Sequence, residues 1–263
     1  MLSVPMLWLC GSFLVSQWLF HRGSPQLCSW LCPSFIHLPI SSRTEWNSRI
    51  VSTIHALVVS HSSLYVFLFD EAIIEDPVWG DPAAVKLNVA ITTGYLLSDL
   101  VIMFSTWEVT GDKLFVLHHL AALYAYSYVL DQGLLPYFAN FRLLSEFSTP
   151  CVNQRWFFKV LRYPKTSVPN LLNGALMAGV FFLVRLAVLP VYYYRVLGVF
   201  GTPAYYRLPV GGRVAWIASS VCLDVLNLLW MWRIWAGGLQ VLRSKTPAPH
   251  RGVTRGQPNS RMD

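Results

Sequence analysis

Two adjacent histidines, His118 and His119, are the residues of this sequence best suited to chemistry. A neutral imidazole can act as a general base or as a nucleophile near neutral pH, which suits acyl transfer. Asp99 and Glu146 are carboxylates able to orient such a ring. Successive residues of a helix point about 100° apart, so at most one of the two histidines can face a given partner. We predict a catalytic site that contains His118, His119, Glu146 and Asp99.

The composition indicates that these residues lie within a membrane protein. Of 263 residues, 54% are hydrophobic and only 13% are charged, whereas a soluble domain carries about 25% charged residues. The net charge of +7 does not indicate a nucleic-acid partner, because the basic residues cluster between long apolar runs. The bilayer must therefore solvate the apolar surface.

Segments long enough to cross a bilayer determine the predicted fold, since a spanning helix needs about 20 mostly apolar residues. Seven segments qualify, namely 2–20, 50–69, 84–105, 113–130, 135–150, 171–194 and 214–236. The fifth is the weakest, because it is short and contains Arg142 and Glu146. The sequence predicts an all-α, polytopic membrane bundle of seven transmembrane helices.

The segments between these spans are predicted to be loops, because they are rich in Pro, Gly, Ser or charged residues. They are 22–49, 70–82, 151–170 and 198–213. The final segment, 245–263, has no apolar periodicity and is predicted to be disordered.

The distribution of Lys and Arg predicts the orientation, since these residues accumulate on the cytosolic side. Seven spans with a cytosolic C-terminus put fourteen basic residues on the cytosolic side and four on the other. The N-terminus is then lumenal or exterior.

Several ionisable residues fall at one depth in this arrangement. His55, Asp99, His118, His119 and Glu146 lie four to six residues from the cytosolic ends of their spans, which corresponds to about 6–9 Å. Ionisable groups in lipid usually face the interior of a bundle. We expect a shared polar cavity that opens toward the cytosolic leaflet.

Other intramembrane polar residues line this cavity or hold helices together. Arg142 and Glu146 have i,i+4 spacing and are expected to pair along one helix face. Arg185 lies near the middle of the sixth span and needs an acidic partner, for which Asp224 is the candidate. Asn227 follows Asp224 at i+3.

His61 lies deeper and is interpreted as structural. Cys28, Cys32 and His37 form only a weak metal pattern, and no metal site is predicted.

The sequence also resembles the TLC domain family, and most specifically one branch of it. The similarity covers residues 45–236 and rests on blocks that recur in the right order. The blocks are Glu45–His55, Gly94–Leu100, Gly111–His119, Asn140–Pro150 and Val152–Phe158.

The resemblance implies a six-helix TLC core preceded by one extra helix. The domains are then an N-terminal helix with a cytosolic loop (1–44), the TLC domain (45–236) and a basic cytosolic tail (237–263). It also implies residence in the endoplasmic reticulum and a role in lipid homeostasis. The family includes ceramide synthases, which join a fatty acyl-CoA to a sphingoid base.

The sequence departs from the ceramide synthases at one motif. Their His-His pair is present as His118 and His119, but their later His-Asp-x-x-Asp motif falls on Ser145, Glu146 and Thr149. One carboxylate is kept, and the histidine and second aspartate are not.

Three functional hypotheses follow. The first is a lipid-homeostasis protein that binds lipid or acyl chains in the polar cavity, with membrane lipids and lipid enzymes as partners. The second is an acyltransferase that uses acyl-CoA as co-substrate and no other cofactor, with His118 or His119 as base or nucleophile. The third is a transporter.

Overall fold

The computed structural model describes residues 3–245, which are built of helices and contain no strand. The α-helices are α1 (Val4–Trp18), α2 (Ser24–Leu31), α3 (Pro33–Ile36), α4 (Ile40–Phe69), α5 (Glu71–Glu75), α6 (Ala83–Ser105), α7 (Trp107–Thr110), α8 (Lys113–Gln132), α9 (Pro136–Leu143), α10 (Thr149–Val160), α11 (Val168–Phe182), α12 (Leu189–Val199), α13 (Pro203–Arg207) and α14 (Val210–Lys245). Continuous helical turns join some of them: Leu19–Gly23 and Leu183–Ala187 are π-helical, and Leu144–Ser148 is a 3-10 turn.

Four helical segments are long and apolar enough to cross a bilayer. They are α4, α6, the continuous α11–α12 segment, and α14 as far as Val241. These segments contain 30, 23, 32 and 32 residues, and about 20 suffice to span. The prediction of an all-helical, membrane-spanning protein is therefore confirmed. Length and apolarity do not by themselves identify the other three predicted spans, which are the first, fourth and fifth. In the first, α1 has only 15 residues. The fifth is divided into α9, the 3-10 turn and α10.

The prediction of loops was wrong over most of one segment and over half of another. Segment 22–49 contains α2, α3 and the first ten residues of α4. Proline was interpreted here as a sign of a loop. Pro25 and Pro33 instead lie in the first turns of α2 and α3, where a missing N–H is tolerated. Segment 151–170 is helical to Val160. Two other predicted loops contain the short helices α5 and α13. Lys245 belongs to α14, and the rest of the predicted disordered tail lies outside the described residues.

A proline accounts for the π turn in the sixth predicted span. Pro190 lies in the first turn of α12, and its missing N–H cannot bond the carbonyl of Leu186. The backbone widens to a π turn at Leu183–Ala187 just before it. Arg185 is in this turn and is only 7% exposed. The irregular turn therefore directs a cationic side chain into the bundle.

α6 is the central helix of the bundle. Within its apolar window 67% of residues are buried, against 17% for α11–α12. It packs against α1, α4, α8 and α9. Polar side chains in the middle of α6, such as Asn88, Thr92 and Ser98, are therefore buried among the neighbouring helices.

α1 is attached closely to α6. Oγ of Ser12 donates a hydrogen bond of 2.6 Å to the carbonyl of Ile91, and Nε2 of Gln17 donates one of 3.0 Å to Oγ of Ser98. Gly94 lets the backbones approach, since a Cβ there would meet backbone atoms of α1. The N-terminal helix is thus part of the bundle.

Candidate functional site

An imidazole and a carboxylate meet where α6 and α8 pack together. Nε2 of His119 lies 3.0 Å from Oδ2 of Asp99, and the side chains are 6% and 13% exposed. Oγ of Ser48, on α4, donates a longer hydrogen bond of 3.4 Å to Oδ1 of Asp99. Three helices therefore contribute to one buried polar cluster, and two of the four predicted catalytic residues are in direct contact.

Both ring nitrogens of His119 face oxygen atoms. Nδ1 lies 2.8 Å from the carbonyl oxygen of Phe115, one turn earlier in α8. A carbonyl only accepts, so Nδ1 must carry a hydrogen. Nε2 and Asp99 then share one further proton, which either the ring or the carboxyl group donates. In this arrangement His119 has no free lone pair with which to take a proton from a substrate.

His118 points away from Asp99. Its ring packs edge-on against Trp230 of α14, with the ring centroids 5.3 Å apart. Its Nδ1 is buried and has no hydrogen-bond partner within residues 3–245. The neighbouring histidines therefore face different compartments, as the angular spacing of a helix requires.

His118 lines a small polar space deep in the bundle, here called the inner chamber. Its other polar walls include His55, Glu146, Arg185 and Asn227, and its volume is about 50 Å³. On this measure about 10–15 Å³ is enough for one water. The inner chamber therefore has room for a few waters, and it is too small for a lipid head group.

A larger space, the polar cavity, lies on the other side of His119 and measures about 280 Å³. It is bounded by the first half of α4, the end of α6, the start of α8 and α10. Its lining residues are Glu45, Ser48, Arg49, Ser52, Tyr95, Asp99, Ile102, Met103, Val109, Thr110, Gly111, Asp112, Phe115, His119 and Asn153. It therefore lies at the end of the bundle that carries the α6–α8 connection.

Hydrogen bonds between α4 and α10 hold one wall of the polar cavity. Arg49 pairs with Glu45 at 2.7 Å and donates to Oδ1 of Asn153 at 3.1 Å. The amide of Asn153 donates in return to the carbonyl of Arg49 and to Oγ1 of Thr53. This wall is therefore fixed by reciprocal polar contacts between two helices.

A third space, the apolar slot, lies between α1 and α4 and measures about 330 Å³. Its lining residues are Leu7, Trp8, Gly11, Ser12, Val15, Ser16, Leu19, Val51, Ile54, His55, Val58 and Ile91. Apart from two serines and the histidine, these side chains are apolar or absent. The slot is thus suited to a hydrocarbon chain.

One pair of rings separates the three spaces. His55 and Tyr95 stack with centroids 3.9 Å apart and ring planes inclined by 14°. Tyr95 lines the polar cavity and the inner chamber, whereas His55 lines the inner chamber and the apolar slot. The stacked pair therefore borders spaces of opposite polarity.

The deeper ion pairs differ from the prediction. Arg142 binds Asp224 through both guanidinium nitrogens, with one contact of 3.1 Å, and Tyr193 donates to the same carboxylate at 2.6 Å. Arg142 does not pair with Glu146. Arg185 instead lies 4.0 Å from Glu146. The two arginines have therefore exchanged their expected acidic partners.

The 3-10 turn at Leu144–Ser148 explains the exchange. The prediction assumed α-helical spacing between Arg142 and Glu146, but a 3-10 turn advances about 120° per residue and rotates Glu146 off the expected face. Arg185 also donates hydrogen bonds to Oγ of Ser148 at 2.9 Å and to Oδ1 of Asn227 at 3.0 Å. Asn227 thus has a structural contact with Arg185 as well as a place in the inner chamber.

Three residues of the site were overlooked by reasoning from charge and depth. Tyr95, Arg49 and Asn153 all lie within the sequence blocks that carry the family resemblance. Those blocks were the available signal, because a tyrosine or an asparagine in an apolar helix is otherwise unremarkable.

His61 lies apart from the site, and its Nδ1 contacts the carbonyl of Leu57 in its own helix at 2.8 Å. Cys28 accepts a hydrogen bond from Nε1 of Trp46 at 3.2 Å. In the part of the chain that the structure describes, no three His, Cys, Asp or Glu side chains are placed to hold a metal ion.

Comparisons with known proteins agree with the sequence blocks. A family model described as TLC domain matches residues 45–236. The chain is 56% identical over 231 residues to TLC domain-containing protein 4-B of Xenopus laevis, with 88% of each chain covered. It is 48% identical over 233 residues to TLC domain-containing protein 4 of Homo sapiens, with 89% of each covered. These relatives represent the branch that the sequence blocks resemble most. No solved structure matches the chain.

Proposed function

This chain belongs to the TLC domain family, and we propose that it is a multi-pass membrane protein that binds a single-chain lipid and acts in lipid homeostasis. The lipid head group would occupy the polar cavity, and its hydrocarbon chain would extend toward the apolar slot. Membrane lipids are then its primary partners.

The observation that carries this proposal is the stacked pair His55–Tyr95. A polar space of about 280 Å³ and an apolar space of about 330 Å³ lie on its two sides. Binding sites for small amphiphiles combine an apolar lining with a few polar groups that fix the orientation. The two spaces supply these parts separately, and we propose that movement of the two rings joins them.

The polar cavity must provide the selectivity. A hydrocarbon chain gains little by leaving the bilayer for the apolar slot, because lipid tails are as apolar as the slot walls. Polar contacts to the head group are stronger in a site shielded from water. We therefore assign discrimination between lipids to the Asp99–His119 cluster and to Arg49.

The charges of the polar cavity favour a head group rich in hydrogen-bond donors. Glu45 pairs with Arg49 and Asp99 with His119, whereas Asp112 accepts only a backbone hydrogen bond from Leu114, so the described lining residues carry an excess of negative charge. A hydroxyl or ammonium group suits such a lining, and the phosphates of acyl-CoA do not. The ligand class we propose is a single-chain amino alcohol.

We also propose the seven-span topology, with the polar cavity toward the cytosol of the endoplasmic reticulum. α1, α8 and the α9–α10 segment would then supply the three additional spans. The contacts of Ser48 and His119 with Asp99 support this orientation, because the start of α4, the end of α6 and the start of α8 share one level. The excess of basic residues assigned to that side supports a cytosolic position.

An acyl-CoA-dependent acyltransferase is the second candidate function. The His119–Asp99 contact favours it, because a carboxylate that orients an imidazole is a common catalytic arrangement. The occupied nitrogens of His119 oppose it, as does the small volume beside His118. We therefore favour lipid binding over catalysis as the function of this site.

Photo-crosslinking tests the binding proposal directly. Purified full-length protein in phosphatidylcholine nanodiscs would be treated with a photoactivatable, alkyne-bearing single-chain amino alcohol, or with the corresponding fatty acid. We expect the amino alcohol to label peptides of α1 and α4, and Asp99→Asn to lower this labelling strongly. Lys159→Gln, on the exposed surface of α10, is the control and should label as wild type does.

Two results would contradict binding in the polar cavity. One is equal labelling of the wild type and the Asp99→Asn variant. The other is stronger labelling by the fatty acid than by the amino alcohol. Incubation of the same preparation with acyl-CoA and the unlabelled amino alcohol tests the enzyme candidate. An N-acylated product that is lost in both His118→Gln and His119→Gln would favour the acyltransferase.

A further inference from the structure

An apolar groove on the outer surface of the bundle, here called the basic groove, lies between α11 and the C-terminal half of α14. Its volume is about 260 Å³. Its lining includes Arg155, Lys165, Gly174, Ala178, Trp235 and Gly238. It shares no lining residue with the polar cavity, the inner chamber or the apolar slot.

The two charged residues of this groove are both basic. Arg155 comes from α10 and Lys165 from the connection that precedes α11, so two neighbouring segments bring basic side chains to the groove. Nη1 of Arg155 would be 3.3 Å from a Cβ at Gly174, which places the guanidinium directly over the groove. Neither side chain makes an ion pair within residues 3–245, and no carboxylate lines the groove.

The walls of the groove are low and hydrocarbon-lined. Glycine and alanine form much of its floor, at Gly174, Ala175, Ala178 and Gly238, and Trp235 is 59% exposed at its side. From Asn170 to Ala178 it extends about 12 Å along α11. Small residues also occur where transmembrane helices pack against each other, so the two basic side chains, rather than the floor, indicate the occupant.

We infer that the basic groove binds an anionic phospholipid from the surrounding bilayer. The phosphate group would lie between Arg155 and Lys165, and one acyl chain would lie along α11 and α14. Basic residues near a membrane surface attract anionic lipids, and an apolar floor beside them selects an amphiphile over a free anion. This site is separate from the proposed amino-alcohol site and carries the opposite charge.

Native mass spectrometry of the full-length protein tests this inference. The protein would be released from nanodiscs of phosphatidylcholine with a minor fraction of phosphatidylserine, and retained lipids would be counted. We expect one phosphatidylserine to be retained in preference to phosphatidylcholine. Each basic residue near the surface contributes about a fivefold preference, so Arg155→Gln with Lys165→Gln should lower retention about 25-fold.

The chain-binding part of the groove is tested separately. Gly238→Leu places a side chain in the groove, and nothing lies within 4 Å of the new Cβ, so the fold should tolerate it. Gly237→Leu is the matched control, since its Cβ is equally free and Gly237 does not line the groove. Lys159→Gln is the charge control. We expect Gly238→Leu to lose phosphatidylserine and both controls to retain it.

Each other outcome overturns the inference. If Arg155→Gln with Lys165→Gln loses the bound phosphatidylserine but Gly238→Leu retains it, the lipid is attracted to the basic surface and does not occupy the groove. If Gly238→Leu loses the bound phosphatidylserine but Arg155→Gln with Lys165→Gln retains it, the groove binds acyl chains without preference for an anionic head group. Displacement of the lipid by inorganic phosphate would indicate a free-anion site, and a dimer that dissociates in Gly238→Leu would indicate that a second copy covers the groove.

Discussion

Loss of the carboxylate of Asp224 should destabilise the protein strongly, because Arg142 would remain buried without a charge partner. The two side chains are 14% and 10% exposed. Removing one member of a buried ion pair costs about 3–5 kcal/mol. The guanidinium also packs 4.1 Å from the ring centroid of Tyr192, which keeps it in place after the carboxylate is gone. For a protein of this size we expect Asp224→Ala to lower Tm by roughly 10 °C.

A double-mutant cycle in detergent identifies the partner of Arg142. Thermal unfolding of Arg142→Met, Asp224→Leu and the double variant should give a coupling free energy of about 1–3 kcal/mol. The double variant should be more stable than either single one, since it leaves no unpaired charge. The same cycle between Arg142 and Glu146 is the control. A coupling of Arg142 with Glu146 as large as that with Asp224 would refute the exchange of partners.

Two other changes test the packing. Gly94→Leu should lower Tm markedly, because the new side chain would collide with the backbone of Leu9 in α1, whereas Gly179→Leu, with nothing within 4 Å of its Cβ, should leave it unchanged. Trp46→Phe should lower the free energy of unfolding by about 1 kcal/mol, because the hydrogen bond to Cys28 is lost. The same change should speed maleimide labelling of the Cys28 thiol, and an unchanged rate would contradict a shielding role of the indole.

Part of the site was predictable because the number of residues between a side chain and the end of its span gives its depth in the membrane. Counting residues from the predicted span ends put His119 and Asp99 at one level, and the structure has them 3.0 Å apart. The angular argument also separated His118 from His119. What it could not supply was the direction in which each ring points, because that depends on packing between α6 and α8.

The remaining errors have local physical causes. The partners of Arg142 and Arg185 could not be predicted, because the calculation assumed regular α-helix where the chain forms 3-10 and π turns. Pro190 follows the π turn, and Pro150 in the first turn of α10 follows the 3-10 turn at Leu144–Ser148; a proline marks where the helix becomes irregular but not which type of turn forms. The early start of α4 was hidden because residues 40–49 are polar although they are helical.

The attachment of α1 to α6 also constrains how the protein is made. The bonded residues Ser12 and Ile91 are 79 positions apart, and Gln17 and Ser98 are 81 apart. At a synthesis rate of about 5–20 residues per second, α1 waits on the order of ten seconds for its partner. With α1 as a span, as proposed, its many exposed apolar side chains would let lipid solvate it during that interval.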